Sequence, residues 1–436
     1  MIKRVLKDNV IWLKCNNFLE ASEYIKLYLS NDYHFIDPIE QVVLLKKEET
    51  IAVSFLEYYT DIETLDDFKT YIETSELMLP DYNNTFLNVI GTIKAHYGSK
   101  NLYNNEPLIN LDGIKHTVIL LIDGLGTKFI KKLDDKLSFL NKHYKKSLTA
   151  IYPSTTAAAT TAIKNGLTPI ETAWLGWENY FREIDKSVVM FSSLDYLTNE
   201  KLDFNTYDYI PYKPFFHDLK IKGYFIEPDF SKPDREIFNE LDRTLEVVNK
   251  EEINVTYTYH TNPDHLFHVF GTENKAALKS IINIDKAVSN FANQLKKDTL
   301  LIITADHGHK DAYTIDIYKD NLLNEMLERN PQNEGRCTFF KVKEEYKEKF
   351  SSYFKQMFKN NFNLYTKEEI INNNFLGLNV AHSRSLDFIG DFVSIAKNNF
   401  VFSYNGQNAH FLSHHAGITK DEMEVPLIIY RGEKWK

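Results

Sequence analysis

Only two cysteines occur in 436 residues, Cys15 and Cys337, far apart and in no metal-ligand or redox spacing, so a disulfide framework is not expected. No apolar run approaches the roughly 18 residues that a membrane-spanning helix needs. The basic N-terminus, MIKRVLKDNVIWLKCNN, is interrupted by Lys7, Asp8, Asn9 and Lys14 and has no small-residue cleavage site, so the expected location is the cytoplasm. Positive charge is in deficit. A net charge of -10 and a pI near 5.8 argue against a nucleic-acid-binding surface, because phosphate backbones select basic stripes. Internal repeats, low-complexity tracts and long polar linkers are absent too. What remains is an ordinary globular composition, 43% hydrophobic, with length for one large catalytic core and one or two smaller modules.

The order of apolar patterns suggests three regions. Residues 1–78 read as a small α+β module, with strands at 10–13, 42–45 and 51–58 and helices at 18–29 and from Asp66. A turn at 79–84 precedes an amphipathic helix at 86–97, which leads toward the first core strand. Buried strands then alternate with helices, the pattern of a mainly parallel sheet between helix layers. The strands are expected at 117–122, 148–152, 253–259, 299–304 and 425–430, with a long helix at 273–295. From about 331 to 398 the texture changes, with a charged helix at 344–359 and less regular strands, which reads as an inserted cap-like α+β module. The core is therefore expected at 79–330 and 399–436.

Four segments carry candidate chemistry. HTVILLIDGLG delivers Asp123 to a glycine-flanked turn at a strand end, where ligands bind in open α/β sheets. YPSTTAAATTAIKNG places hydroxyls at the N-terminus of an alanine-rich helix stopped by Gly166, where free N–H groups and the dipole favour an anion. YHTNPDHLFHVFG follows another strand and carries Asp264 and His268, which four-residue spacing puts on one helix face, while His265 points elsewhere. TADHGH ends a strand with Asp306 and His307, and a late loop, SHHAG, supplies two more histidines. Any one of these would ordinarily be a cap or turn residue. Together they amount to three carboxylates, three imidazoles and a hydroxyl, enough for two metal ions of nitrogen-and-oxygen type, Zn²⁺ first and Mn²⁺ second.

The ordered set, over residues 84–431, resembles the alkaline phosphatase superfamily and, within it, the type I phosphodiesterase/nucleotide pyrophosphatase family. The resemblance implies an alkaline-phosphatase-like α/β fold and a Thr156 nucleophile. It also implies one metal on Asp264, His268 and His415 and a second on Asp123, Thr156, Asp306 and His307. His415 rather than His414 takes the ligand role because it directly precedes Ala416 and Gly417, and His309 is assigned a supporting or structural place. The implied reaction is hydrolysis of a phosphodiester or pyrophosphate bond, with a small nucleotide-type substrate favoured, through a phosphothreonine intermediate. The position three residues after Thr156 is Ala159, which has no amide to offer a phosphoryl oxygen. Asn179 and Tyr180 in GWENYF are the candidate substrate contacts in its place. Trp174, Trp177, Tyr180 and Phe181 are candidates for stacking an organic group, and Arg336, His382 and Arg384 for reaching substrate from the inserted module. The same cage would serve a phosphomonoesterase or phosphonate hydrolase, and a noncatalytic binding protein on a retained phosphatase fold is the reading from another class.

Overall fold

The computed structural model describes residues 75–99, 108–219, 221–230, 236–404 and 411–433, with the backbone of five short strands nearer the N-terminus. These group into two compact units, one of Glu76–Asp311, Glu369–Phe388 and Phe411–Lys436, the other of Met1–Ser75, Ala312–Glu368 and Ile389–His410.

The first unit is built on a six-stranded sheet. Its strands in chain order are β1 (His116–Ile122), β2 (Tyr144–Thr149), β3 (Lys222–Ile226), β4 (Asn254–His260), β5 (Thr299–Thr304) and β6 (Glu424–Arg431), arranged β3-β4-β1-β5-β6-β2. β3, β4, β1 and β5 pair in parallel, and β6 runs antiparallel to both β5 and β2. Five of six strands thus share one direction. All residues of β1 and β5 are buried, as expected of central strands covered on both faces. The helices used below are α1 (Phe86–His96), α2 (Thr156–Asn165), α3 (Ile237–Val248), α4 (Asp264–Phe270) and α5 (Lys275–Ala292).

Four of the five anticipated core strands lie within two residues of their expected places, and the fifth does not. It forms at Tyr144–Thr149, because residues 150–155 are needed for the turn that leads into α2. β3 has no counterpart in the apolar pattern. It is a half-exposed edge strand, and its Gly223 lies under the Phe216 ring, so it reads as neither a buried run nor a clean alternation.

The second unit holds an antiparallel array of Gln332–Glu334, Cys337–Phe340, Phe392–Ala396 and Phe362–Thr366. A helix at Lys347–Phe358 buries Phe350, Phe354 and Phe358, whose rings meet Phe340 and Phe402. Cys337 is fully buried. Nearer the N-terminus the backbone forms a five-stranded sheet in the order Lys3–Lys7, Val10–Lys14, Glu49–Ser54, Gln41–Lys46, His34–Phe35. The helices anticipated at 18–29 and from Asp66 lie outside the described residues, as does Cys15. The units divide the chain differently from the anticipated boundaries at 331 and 398. Residues 369–388 group with the large sheet's unit because His382 N–H and the Ser385 hydroxyl donate to the Ile170 carbonyl, while Ile170 N–H donates to that of Leu376. Among the described residues no helix is long and apolar enough to cross a membrane.

Around Gly308 the backbone leaves no room for a side chain. A Cβ on Gly308 would stand 2.0 Å from the Asp421 carbonyl oxygen, and one on Gly126 2.7 Å from Gly308 Cα. Gly308→Ala should therefore lower the melting temperature by several degrees, for a cost of about 1–3 kcal/mol. A calorimetric scan checks this, and an unchanged melting temperature would refute the close approach.

Candidate active site

The carboxyl ends of three adjacent parallel strands, β4, β1 and β5, converge. Asp123 follows β1, and Gly124 beside it adopts φ 72°; a Cβ there would stand 2.9 Å from both Asp264 Cα and His309 Cδ2. Glycine thus lets the start of α4 approach the β1 turn. Backbone bonds fix the approach: Asp123 N–H donates to the His260 carbonyl at 2.9 Å and Asp264 N–H to that of Asp123 at 3.2 Å. From β5, Asp306 uses Oδ1 to accept from Gly124 N–H (3.1 Å) and its neighbour His307 N–H (3.0 Å). Its Oδ2 is buried without a hydrogen-bond partner.

Thr156 is the first residue of α2, and its Oγ1 lies 3.5 Å from Asp123 Oδ1 and 3.2 Å from His307 Nε2. His307 Nε2 is also 3.5 Å from Asp123 Oδ1 and 3.6 Å from Asp306 Oδ2. Around Asp264 Oδ1 stand His268 Nε2 at 3.4 Å, His415 Nε2 at 3.9 Å and His309 Nε2 at 2.6 Å. His268 Nδ1 donates to the Ser413 carbonyl and His307 Nδ1 to that of Gly308, which leaves each Nε2 as the lone-pair nitrogen facing the carboxylates. Ligand atoms of Asp123, Asp306 and His307 lie within 4.8 Å of one another, as do those of Asp264, His307 and His415, and of Asp264, His268 and His309.

Burial and like charge govern the protonation of this cluster. Burial, with the Asp264 and Asp306 carboxylates, pushes Asp123 well above the ordinary carboxylate range, and burial raises Asp306 as well. Burial would raise Asp264 too, but the imidazoles of His268, His309 and His307 outweigh it and pull that carboxyl down. Desolvation lowers His268, brings His309 to about 4 and holds His415 well below its usual value. These imidazoles are neutral at pH 7, the form that ligates metal.

Two contributors, Tyr259 and Ser413, were not singled out from the sequence. The Tyr259 hydroxyl donates to Asp123 Oδ2, yet in the alternation of β4 it reads as a core tyrosine beside Tyr257. Ser413 supports two imidazoles, its carbonyl receiving His268 and its hydroxyl meeting His309 Nδ1 at 3.0 Å. His309, assigned a supporting place, directly contacts Asp264; its position two residues after His307 was the available signal. Of the adjacent pair, His415 joins the cluster while His414 Nε2 turns to the Phe411 carbonyl.

A cleft of about 720 Å³ opens from Asp123, Thr156 and Asp264, walled in part by Trp174, Trp177 and Phe191. His265, expected to point away, is exposed and also lies on this wall. Tyr180 and Phe181 do not line it: Tyr180 donates to Asp185 at 2.7 Å, and Phe181 packs against Phe204 and Phe388. Asn179 is fully buried, with both amide atoms lacking a hydrogen-bond partner. The side chains proposed to reach over from the insertion are engaged locally. Arg384 pairs with Glu183 at 2.5 Å, His382 Nδ1 accepts from Arg384 N–H, and buried Arg336 donates to the Phe400 carbonyl.

The sequence profile of type I phosphodiesterases/nucleotide pyrophosphatases matches residues 117–419. The chain belongs to that family. Solved structures share the fold of this phosphodiesterase/pyrophosphatase family member, which is alkaline-phosphatase-like. Human ectonucleotide pyrophosphatase/phosphodiesterase 5 is 16% identical with TM-score 0.54, covering 72% of this chain and 87% of its own. An inactive form of the murine protein in complex with AMP is 13% identical with TM-score 0.51, covering 71% and 87%. Phosphonoacetate hydrolase from Sinorhizobium meliloti 1021, in complex with phosphonoacetate, is 14% identical with TM-score 0.53, covering 72% and 89%. No curated protein sequence matches the chain. Family membership makes it one of a group of metal-dependent hydrolases of phosphoesters.

Crowded carboxylates predict a stability trade-off. With its pKa raised, ionised Asp123 disfavours the fold at neutral pH when no cation is present. Asp123→Asn should raise the melting temperature in excess chelator, and Zn²⁺ or Mn²⁺ should stabilise the parent protein more than the variant. Differential scanning fluorimetry with and without cation reads both shifts; a variant less stable in chelator would contradict the account of the charge.

Proposed function

We propose that the protein hydrolyses a phosphodiester or pyrophosphate bond, with a nucleotide-type substrate, using Thr156 as nucleophile and two divalent ions, Zn²⁺ or alternatively Mn²⁺. The observation that carries this reading is Thr156 itself: a hydroxyl at a helix N-terminus, 3.2 Å from His307 Nε2 and 3.5 Å from Asp123 Oδ1, opening on the cleft. The residues fit the ions. Asp306 Oδ2 is buried without a partner, the imidazoles of His268 and His415 are neutral, and three carboxylates supply the counter-charge. Asp123, Thr156, Asp306 and His307 would hold one ion, and Asp264, His268 and His415 the other, with His309 bracing Asp264. When bound, such ions lower the pKa of the attacking hydroxyl and neutralise charge on phosphoryl oxygens.

The chain's own groups do the rest. Thr156 Oγ1 gives up its proton to solvent and attacks phosphorus, an Oγ1–P bond forms, and the P–O bond to the leaving group breaks with its electron pair departing on that oxygen, which takes up a proton from solvent. Water then adds to the phosphothreonine, the Oγ1–P bond breaks, and Thr156 recovers its proton. The amide N–H groups opening α2 favour the anion throughout. Asn179 is fully buried and is not among the residues lining the cleft, so it is set aside as the donor to a phosphoryl oxygen. Tyr180, bonded to Asp185, is set aside for that role.

Phosphonate or phosphomonoester hydrolysis on the same cage is the second reading, and the size of the cleft favours a substrate with a larger non-reacting part. A noncatalytic binding role finds no support in the cluster, where no anticipated ligand has been replaced.

Thr156→Ala should keep its melting temperature and metal content and lose at least about a thousandfold in kcat. Wild-type protein should cleave bis(p-nitrophenyl) phosphate faster than p-nitrophenyl phosphate. Retained turnover in the variant, or faster monoester cleavage, would overturn the nucleophile or the subclass respectively.

A further inference from the structure

The helix that presents Thr156 also reaches the far end of the cleft. Thr156, Thr160 and Lys164 recur every four residues along α2, and all three line the cavity. At 1.5 Å per residue the eight steps from Thr156 to Lys164 span about 12 Å. There Lys164 forms an ion pair with Glu227, the residue after β3, and its ammonium lies 5.3 Å from the Tyr257 ring centroid and 5.6 Å from that of Phe225. The Lys164 side chain is 14% exposed but the Glu227 side chain keeps 40% of its surface open. Burial and the Glu227 carboxylate raise the phenols of Tyr207 and Tyr212, the latter to about 12, so both stay protonated beside it. Trp177, 43% exposed, also lines the cleft.

We propose that the Lys164–Glu227 pair determines specificity by reading the polar edge of a planar heteroaromatic ring at the end of the substrate remote from phosphorus, with Trp177 as the stacking face. This rests on the hydrolase reading above. The ammonium donates and the carboxylate accepts, side by side. A nucleobase-type edge, with adjacent acceptor and donor, satisfies both, whereas a plain aryl or alkyl ester offers neither. The distance acts as a ruler: a sugar and a ring together bridge it, while a two-carbon phosphonate ends far short. The bland alternative is a salt bridge that only ties α2 to the end of β3.

The test compares Glu227→Gln and Lys164→Met with wild type on two esters sharing one leaving group, the p-nitrophenyl ester of thymidine monophosphate and bis(p-nitrophenyl) phosphate. Each variant should lose about tenfold or more in kcat/KM on the nucleotidyl ester, mostly through KM, and stay within about twofold on the plain diester. Equal losses on both esters, tracking a fall in melting temperature, would show a merely structural bridge, and no loss on either would place the pair outside the substrate site. Calorimetric titration with AMP and with inorganic phosphate gives a readout independent of turnover. AMP should bind wild type more tightly than phosphate does, and Glu227→Gln should erase the difference. Glu227-dependent AMP binding without hydrolysis of either ester would sink the hydrolase reading and leave this inference standing. Hydrolysis of both esters without any dependence on Glu227 would do the reverse.

Discussion

Three carboxylates, Asp123, Asp264 and Asp306, are held together in a buried place by strands that would be stable without them, and like charges in low dielectric repel strongly. The fold withstands this because the backbone imposes it. Parallel β4, β1 and β5 end side by side, and the turns that follow are pinned by amide bonds from Gly124 to Asp306 and from Asp264 to Asp123. Neutral imidazoles, a tyrosine hydroxyl and a serine surround the acids. The surrounding shell orients the lone pairs inward rather than quenching the charge.

The same geometry explains what the sequence could reveal. Buried strands read as apolar runs, so β1, β4, β5 and β6 are legible, and Asp123, Asp264, Asp306 and His307 were visible because they lie within a few residues after such runs, as His415 was in the loop before one. Asp264 and His268 add the four-residue helical spacing. Tyr259 and Ser413 were not legible because their roles depend on contacts across the sheet and the late loop, and a tyrosine in a strand looks like core. β3 escaped because edge strands need not be apolar, and with it went Glu227. Trp174 and Trp177 were readable as candidates for a wall, but nothing local separates them from Phe181, which the fold places in an aromatic core instead. The division of the chain was also hard to read, since residues 369–388 look like part of an insertion and owe their grouping to hydrogen bonds with Ile170.

The reacting centre and the rest of the cleft are thus set by different parts of the chain. Strand ends fix the phosphoryl chemistry that family members have in common. Helix α2 and the end of edge strand β3 supply the Lys164–Glu227 pair on the cleft wall, away from those strand ends.

The loop carrying His415 is fastened in an unusual way. Ala416, at φ 81°, donates its N–H to the Ser154 carbonyl at 2.9 Å, and the Ser154 hydroxyl donates to the Gly417 carbonyl at 2.9 Å, across 263 positions of sequence. Ser154 stands two residues before Thr156. Closing so long a loop is slow and comes late in folding. The turn that presents Thr156 and the loop that brings His415 therefore depend on each other, and a chain lacking β6, which lies between β5 and β2, would lose the pairing of β2 as well.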